Sequence, residues 1–323
     1  MKQIFFAILA AVTLLSSCQP YEPQSPTLEC DYWEMPVGLS SASSVVWHDT
    51  LFVLFGRSGQ SAKTPHLYGY AVSLDDPSLV RRFPLPIKQR VKAAGLLIGD
   101  DYYFGLGFCG KVYNDTSNLT DWWRLDMNTR SLTRLADFPT KECDDPQVWA
   151  YGDSIFLSLG FTPYSRSTYR YDINADKWQC VSSNTIDRVR ASAVGAQVGD
   201  RMFAGGGCSF EMFNDWNEFN HHTYRWEKRR EMPTRGRIFC ASAATAQHIY
   251  VIGGRYFGGT ETDEHFYRGI IRYNVDTDSW TIVGDMPEAA EHQIAFIYNG
   301  YLYWGLGQTE SKRMINRLYR TKL

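Results

Sequence analysis

Six times along the chain, at intervals of roughly fifty residues, a short apolar strand ends on glycine. The copies are Leu-Phe-Val-Leu-Phe-Gly at 51–56, Tyr-Tyr-Phe-Gly-Leu-Gly at 102–107 and Ile-Phe-Leu-Ser-Leu-Gly at 155–160. Met-Phe-Ala-Gly-Gly-Gly at 202–207, Ile-Tyr-Val-Ile-Gly-Gly at 249–254 and Leu-Tyr-Trp-Gly-Leu-Gly at 302–307 complete the set. Each is preceded by a tight turn: His48-Asp49, Gly99-Asp100, Gly152-Asp153, Gly199-Asp200, Gln247-His248 or Asn299-Gly300. Most of these carry Gly, Asp or Asn, residues that accept positive φ in hairpins. A unit this small cannot bury its own apolar faces, so it must stack on copies of itself. That requirement leaves few architectures open.

Two further strands follow within a unit. Tyr-Arg-Tyr-Asp-Ile-Asn at 169–174 leads through Asp176 to Trp178. Ile-Arg-Tyr-Asn-Val-Asp at 271–276 leads through Asp278 to Trp280 and then Met286-Pro287. Trp-Arg-Leu-Asp-Met-Asn at 123–128 leads to Leu132 and Phe138-Pro139. These segments alternate apolar and polar residues, as half-buried strands do. The glycine pair, the Tyr-Asp strand, the Trp that follows and the Met-Pro before the next unit resemble the Kelch repeat. The resemblance extends over nearly all of 28–323, with 249–287 the clearest copy. It implies an all-β, six-bladed Kelch β-propeller. The last unit has three strands, at 292–299, 301–307 and 316–323, and lacks a Trp-Met-Pro strand. An orphan Asp-Tyr-Trp-Glu-Met-Pro stands at 31–36. The amino-terminal strand is therefore expected to complete the last blade, which removes two exposed sheet edges.

The start of the chain reads as an address. Lys2 is followed by an apolar stretch at 4–15, of signal-peptide length and too short to span a bilayer. Leu15-Ser16-Ser17-Cys18 reads as a lipobox, with Cys18 the lipidated residue. The expected organisation is a lipoprotein signal peptide at 1–17, a lipid-anchored tether at 18–27 and the propeller at 28–323. Three prolines among polar residues at 19–26 suit an extended tether rather than a folded element. With Gln19 after the cysteine, we expect an outer-membrane lipoprotein, periplasmic or surface-exposed, touching membrane only through its anchor.

A formal charge of -2 gives no strong field for nucleic acid, and none is expected as a partner. Aromatics make up 15% of the chain, which suits strands and also sugar stacking. Of seven cysteines, six remain once Cys18 is lipidated, an even number compatible with disulfides in an oxidising compartment. Cys109 and Cys208 each follow a glycine strand, and Cys143 and Cys240 each lead into the next blade. Disulfides Cys109–Cys143 and Cys208–Cys240 are expected; Cys30 and Cys180, on opposite blades, are not expected to pair.

The Kelch resemblance implies a ligand site at the mouth of the central channel. That mouth is lined by the loop after each glycine pair and the loop leading into each innermost strand. Ten and twelve residues before each second strand stand Ser41 with Leu39, Lys92 with Arg90, Asp145 with Cys143, Ser192 with Arg190, Phe239 with Arg237, and His292 with Ala290. After the glycines come Arg57, Phe108, Phe161, Cys208, Arg255 and Gln308. The candidate ligand-binding set is Arg57, Lys92, Asp145, Arg190, Arg237, Arg255, His292 and Gln308, with Asp144 and Glu291 as neighbouring anions. Converging cations favour an anionic ligand, since arginine makes bidentate hydrogen bonds to carboxylate. For Arg90, Arg190 and Arg237 the alternative is a bracing role between blades. His221-His222, near Glu218 in a long insertion at 210–220, would point to opposite faces of a strand, so no metal is expected. No cofactor is expected.

Length and blade number are also similar to the N-acetylneuraminate mutarotases, in particular a circularly shifted branch of that family. This resemblance implies an acid/base glutamate and a carboxylate-holding arginine on one loop after a glycine strand. Gly-Gln-Thr-Glu-Ser-Lys-Arg at 307–313 offers Glu310 as proton shuttle and Arg313 as clamp, with the glutamate two positions later than the family pattern and Gln308 in its place. The function expected is an isomerase acting on an acidic monosaccharide. The alternative is a non-catalytic module binding a glycan or a protein through insertions at 110–119, 210–220 and 256–266. A copper radical oxidase of the galactose oxidase type would need a histidine pair and an extra domain that the sequence does not offer.

Overall fold

The structure, a computed structural model, describes residues 22–59, 66–109, 117–140, 145–160, 167–183, 186, 188–259 and 263–323. Among the described residues six four-stranded antiparallel sheets stand around an axis, with one additional two-stranded hairpin, Arg255–Phe257 with Glu264–Phe266. Blade five shows the pattern: Ala241–Ala244, His248–Ile252, Gly269–Asn274 and Ser279–Asp285 pair in sequence from the axis outward. The first strands of the six blades touch their neighbours in order and close the ring.

The second strands explain why the repeat reads so apolar. Thr50–Leu54, Asp101–Gly105, Ser154–Ser158, Arg201–Gly205, His248–Ile252 and Tyr301–Gly305 each have their last four residues buried. These strands lie inside their own sheets and are covered on both faces by adjacent blades, so alternation gives way to continuous apolar runs. The Tyr-Asp-Trp signature has a visible purpose. The Tyr171 hydroxyl donates to Asp176 Oδ1 at 2.6 Å, and the same oxygen accepts from Ala136 N of the preceding blade at 2.8 Å. Trp178 then donates its indole N–H to Ala136 O at 3.0 Å and packs edge-on against Trp122. Tyr273, Asp278 and Trp280 repeat the arrangement against Arg230. One short stretch of sequence thus joins a blade's outer strands to its neighbour, with buried rings and satisfied polar groups.

Ring closure follows the expected route. Asp31–Glu34 pairs antiparallel with Arg317–Lys322, placing Trp33 opposite Leu318. The Trp33 ring stacks on Tyr303 at 6.0 Å, and the Arg320 guanidinium lies 4.6 Å from the Trp33 ring centroid.

Two local expectations need correction. The segment at 210–220 is not wholly an insertion: Trp216–Asn220 is the third strand of blade four. His221 and His222 sit in the turn after it, where Asn220 Oδ1 accepts from both His222 N and Thr223 N. Their rings are 4.1 Å apart rather than on opposite faces, because a turn lacks the alternation of a strand. The tether also departs from expectation. From Glu22 onward it is docked on the propeller rather than extended away from it: Leu28 N donates to Asp285 O and Asp285 N to Pro26 O. Cys18 lies outside the described residues.

Candidate site at the channel mouth

Two layers of backbone build the mouth. Ser41, Lys92, Asp145, Ser192, Phe239 and His292 all take left-handed φ, between 55° and 58°. None is glycine, so each accepts a cost of roughly 1 kcal/mol. The turn aims their peptide groups around the axis. Lys92 N donates to Ser41 O (3.1 Å), Asp145 N to Lys92 O (3.4 Å), Phe239 N to Ser192 O (3.4 Å), His292 N to Phe239 O (2.9 Å) and Ser41 N to His292 O (3.2 Å). The second layer pairs the residue just before five of these with the one after the glycines: Ser40 with Arg57, Val91 with Phe108, Ala191 with Cys208, Ile238 with Arg255 and Glu291 with Gln308. The glycines make that pairing sterically feasible: a Cβ on Gly307 would lie 2.5 Å from Glu291 O.

The side chains brought together form a charged cluster. The Arg255 guanidinium pairs with Glu264 and, at 2.9 Å, with Glu291. Arg57 Nη2 donates to the Gln308 amide oxygen at 2.7 Å. Lys92 Nζ is 3.4 Å from Asp145 and 4.7 Å from the centroid of the Phe239 ring, which stacks on His292 at 4.0 Å. A cavity of about 110 Å³ lies among Ser41, Lys92, Asp145, Phe239, His292 and Gln293.

Burial dominates the titration of this cluster. Glu291 is 6% exposed, and desolvation pushes its carboxyl above the usual range despite the opposing charges of Arg255, Arg57 and Lys92. Desolvation, reinforced by Lys92, Arg57 and Arg255, holds His292 well below its ordinary value, so its imidazole is neutral at physiological pH. The Cys208 thiol is raised, chiefly by burial.

The counted registers therefore bring six candidates to one mouth: Arg57, Lys92, Asp145, Arg255, His292 and Gln308. Arg190 and Arg237 do not join them. Both have fully buried side chains turned into the blades. Arg190 donates to both carboxylate oxygens of Asp215 and to Gly206 O, as Arg90 does to Asp121 and Leu106 O. Arg237 meets Gly253 O, Gly269 O and Glu22. Bracing is their role, because each guanidinium has its donors committed between strands.

Glu310 and Arg313 are not joined into a pair. They lie on an exposed turn closed by Thr309 N donating to Arg313 O, and the Arg313 guanidinium is held by Glu288. Cys208 and Cys240 carry free thiols, contrary to the expected disulfide. Cys240 Sγ is turned into its own blade, 3.3 Å from Gly253 O, whereas the charges acting on Cys208 are those of the channel: Lys92, Arg255 and Asp145. Cys109 is also a free thiol, and Cys143, Asp144 and Phe161 lie outside the described residues. Two partners of Arg255 lie outside the counted registers. Glu291 stands between those registers, a neighbouring anion by position. Glu264 comes from a hairpin for which the repeat gives no signal.

Comparison with known proteins agrees with this architecture. A model of the Kelch motif matches residues 236–287. Kelch domain-containing protein 3 of Rattus norvegicus is 29% identical over 240 residues, 67% of this chain and 63% of that protein. N-acetylneuraminate epimerase of Haemophilus influenzae (strain PittEE) is 22% identical over 215 residues, 64% of this chain and 50% of that protein. Its namesake in Escherichia coli (strain K12) is 21% identical over 236 residues, 70% of this chain and 55% of that protein. The match thus spans less than two thirds of each of these relatives. A solved structure, that of YjhT, superposes with a TM-score of 0.71 at 14% identity, covering 88% of this chain and 95% of that one. The chain is thus a six-bladed β-propeller with a Kelch motif in its fifth blade, and its distant relatives include proteins named N-acetylneuraminate epimerase.

Proposed function

We propose that the channel mouth takes an acidic monosaccharide of the N-acetylneuraminate type and interconverts its anomers. One observation carries this reading: a nearly buried carboxyl, Glu291, with a raised pKa among the cations Arg57, Lys92 and Arg255. Among the described residues, these three cations face three carboxyl groups, Asp145, Glu264 and Glu291. Protonating Glu291 makes this set more positive by one charge, so proton uptake and anion binding favour each other. Among its contacts Arg57 donates to the neutral Gln308 amide, and a ligand carboxylate offers it a stronger, charge-assisted pair. The cavity of about 110 Å³ beside Lys92 is smaller than an ordinary small-molecule pocket, so the sugar rests on the mouth above it with its carboxylate toward Arg57 and Lys92.

Anomer exchange requires opening and reclosing of the pyranose ring. A proton leaves the anomeric hydroxyl and a proton arrives at the ring oxygen; closure on the other carbonyl face reverses both transfers. A carboxylic acid does both at once, donating from one oxygen and accepting on the other. Glu291 is assigned that role. The relatives named N-acetylneuraminate epimerase support the substrate class. The proposed setting is an exported lipoprotein, anchored through Cys18 to the outer membrane; substituting Cys18 by Ser would release it to the soluble fraction.

The test is two-dimensional exchange NMR of N-acetylneuraminate with wild type, Glu291→Gln and Glu310→Gln. The reading expects faster exchange that Glu291→Gln abolishes and Glu310→Gln retains. Unchanged exchange in Glu291→Gln would remove Glu291 from the chemistry. No acceleration by the wild type leaves a second reading, a non-catalytic binding propeller. That reading is favoured by the ion pairs already made within the channel and by the similarity to Kelch domain-containing protein 3.

A further inference from the structure

In blades two and four, the buried arginine that braces the ring finds its carboxylate just before the third strand, at Asp121 and Asp215. In blade five the corresponding position is Arg268, which supplies no carboxylate. Glu22 fills the gap from outside the repeat. Its Oε2 accepts from Gly269 N at 2.8 Å and from Arg237 Nη2 at 3.3 Å. Its Oε1 accepts from Arg268 N at 3.0 Å and meets His265 Nε2 at 3.1 Å. Both oxygens are satisfied twice, and the Arg237 side chain is fully buried. Burial opposes ionisation of Glu22, but His265, Arg237 and the two amides outweigh it, leaving the pKa below the usual carboxylate range.

The groove is shaped for this segment. A Cβ on Gly269 would stand 2.5 Å from Glu22 Oε2, and one on Gly284 would stand 2.6 Å from Leu28 Cδ2. Between Glu22 and Leu28, Ser25 Oγ donates to Asp285 Oδ1, and Thr27 forms a parallel bridge with Asp285. An extended segment added to a sheet edge, anchored by a side chain in a pocket, is a peptide-recognition geometry. The chain then crosses to blade six and pairs as Asp31–Glu34. His265 belongs to the strand Glu264–Phe266, whose first residue, Glu264, reaches Arg255 in the channel.

We propose that Arg237, His265 and the amides of Arg268 and Gly269 form a carboxylate receptor for the chain's own residues 22–28, whose occupancy holds the paired strands Arg255–Phe257 and Glu264–Phe266 that carry Glu264 to Arg255. The segment is an intramolecular ligand, and Glu22 is a positioning residue. The receptor is independent of what the channel binds. It accepts a small free carboxylate when Glu22 is shortened, because the pocket's donors remain.

Hydrogen exchange on the full chain tests this, comparing wild type with Glu22→Ala and Gly269→Ala. Loss of charge-assisted hydrogen bonds predicts exchange about tenfold or more faster at 23–30 and 264–269 in both variants. Blades two and three should be unchanged. Excess acetate should restore protection at 264–269 in Glu22→Ala and not in Gly269→Ala, where the added methyl occupies the oxygen's place. Wild-type protection at 23–30 and 264–269 in both variants would overturn the proposal. So would failure of acetate to restore Glu22→Ala, or loosening spread equally over all six blades.

Discussion

Replacing Asp215 by alanine separates a bracing arginine from a ligand-binding one. The Arg190 side chain is fully buried and the Asp215 side chain 26% exposed. Removing the carboxylate leaves the guanidinium with Gly206 O, Arg188 O and the Phe213 ring, and with no counter-ion among these contacts. Breaking a buried pair from one side costs about 3–5 kcal/mol. Because water reaches the vacated place, the lower end applies, about 3 kcal/mol. For a domain of this size that corresponds to a fall in Tm of roughly 6 °C. Adding Arg190→Met removes the orphaned charge, and the double variant should regain most of the loss. Urea and thermal unfolding measure both, and ligand affinity should stay unchanged in the double variant once it is folded. An Asp215→Ala protein as stable as wild type, or a stable double variant that loses acidic-sugar binding, would refute the bracing assignment.

Other outcomes follow from the same geometry. Glu291→Gln should match or exceed wild-type stability at neutral pH. The raised pKa means the folded state holds the proton more tightly, so stability present at acidic pH declines as pH rises from the unfolded value near 4.5 and is fully lost above the folded one. Tm measured against pH should show that decline in wild type and not in the variant. Arg57→Ala should weaken N-acetylneuraminate binding by about tenfold or more, with a neutral hexose unaffected, as calorimetry can read. Trp33→Ala should cost about 2 kcal/mol in denaturant unfolding, below the full price of a core tryptophan because the ring is only half-buried.

The architecture was legible because a propeller writes itself into sequence six times. The second strands, the Tyr-Asp-Trp joint and the orphan strand around Trp33 each follow from local patterning. Counting back from the glycines also located the mouth, since each register is set by a hairpin of nearly constant length. What counting could not supply was direction. Arg90, Arg190 and Arg237 share a register beside the mouth yet turn inward, because Asp121, Asp215 and Glu22 await them between strands. Glu310 and Arg313 follow the family's order but not its spacing, and their turn is exposed to solvent. Glu264 and Glu22 reach their partners through a hairpin and a docked segment that break the repeat, and a repeat gives no information about its own interruptions.

The most direct test of the central claim is a crystal structure of the protein soaked with N-acetylneuraminate. The account predicts the ligand carboxylate within hydrogen-bonding distance of Arg57 or Lys92, with the anomeric centre against Glu291. Ligand density on the exposed turn at 309–313, or on the outer faces of the blades with an unchanged channel, would contradict it.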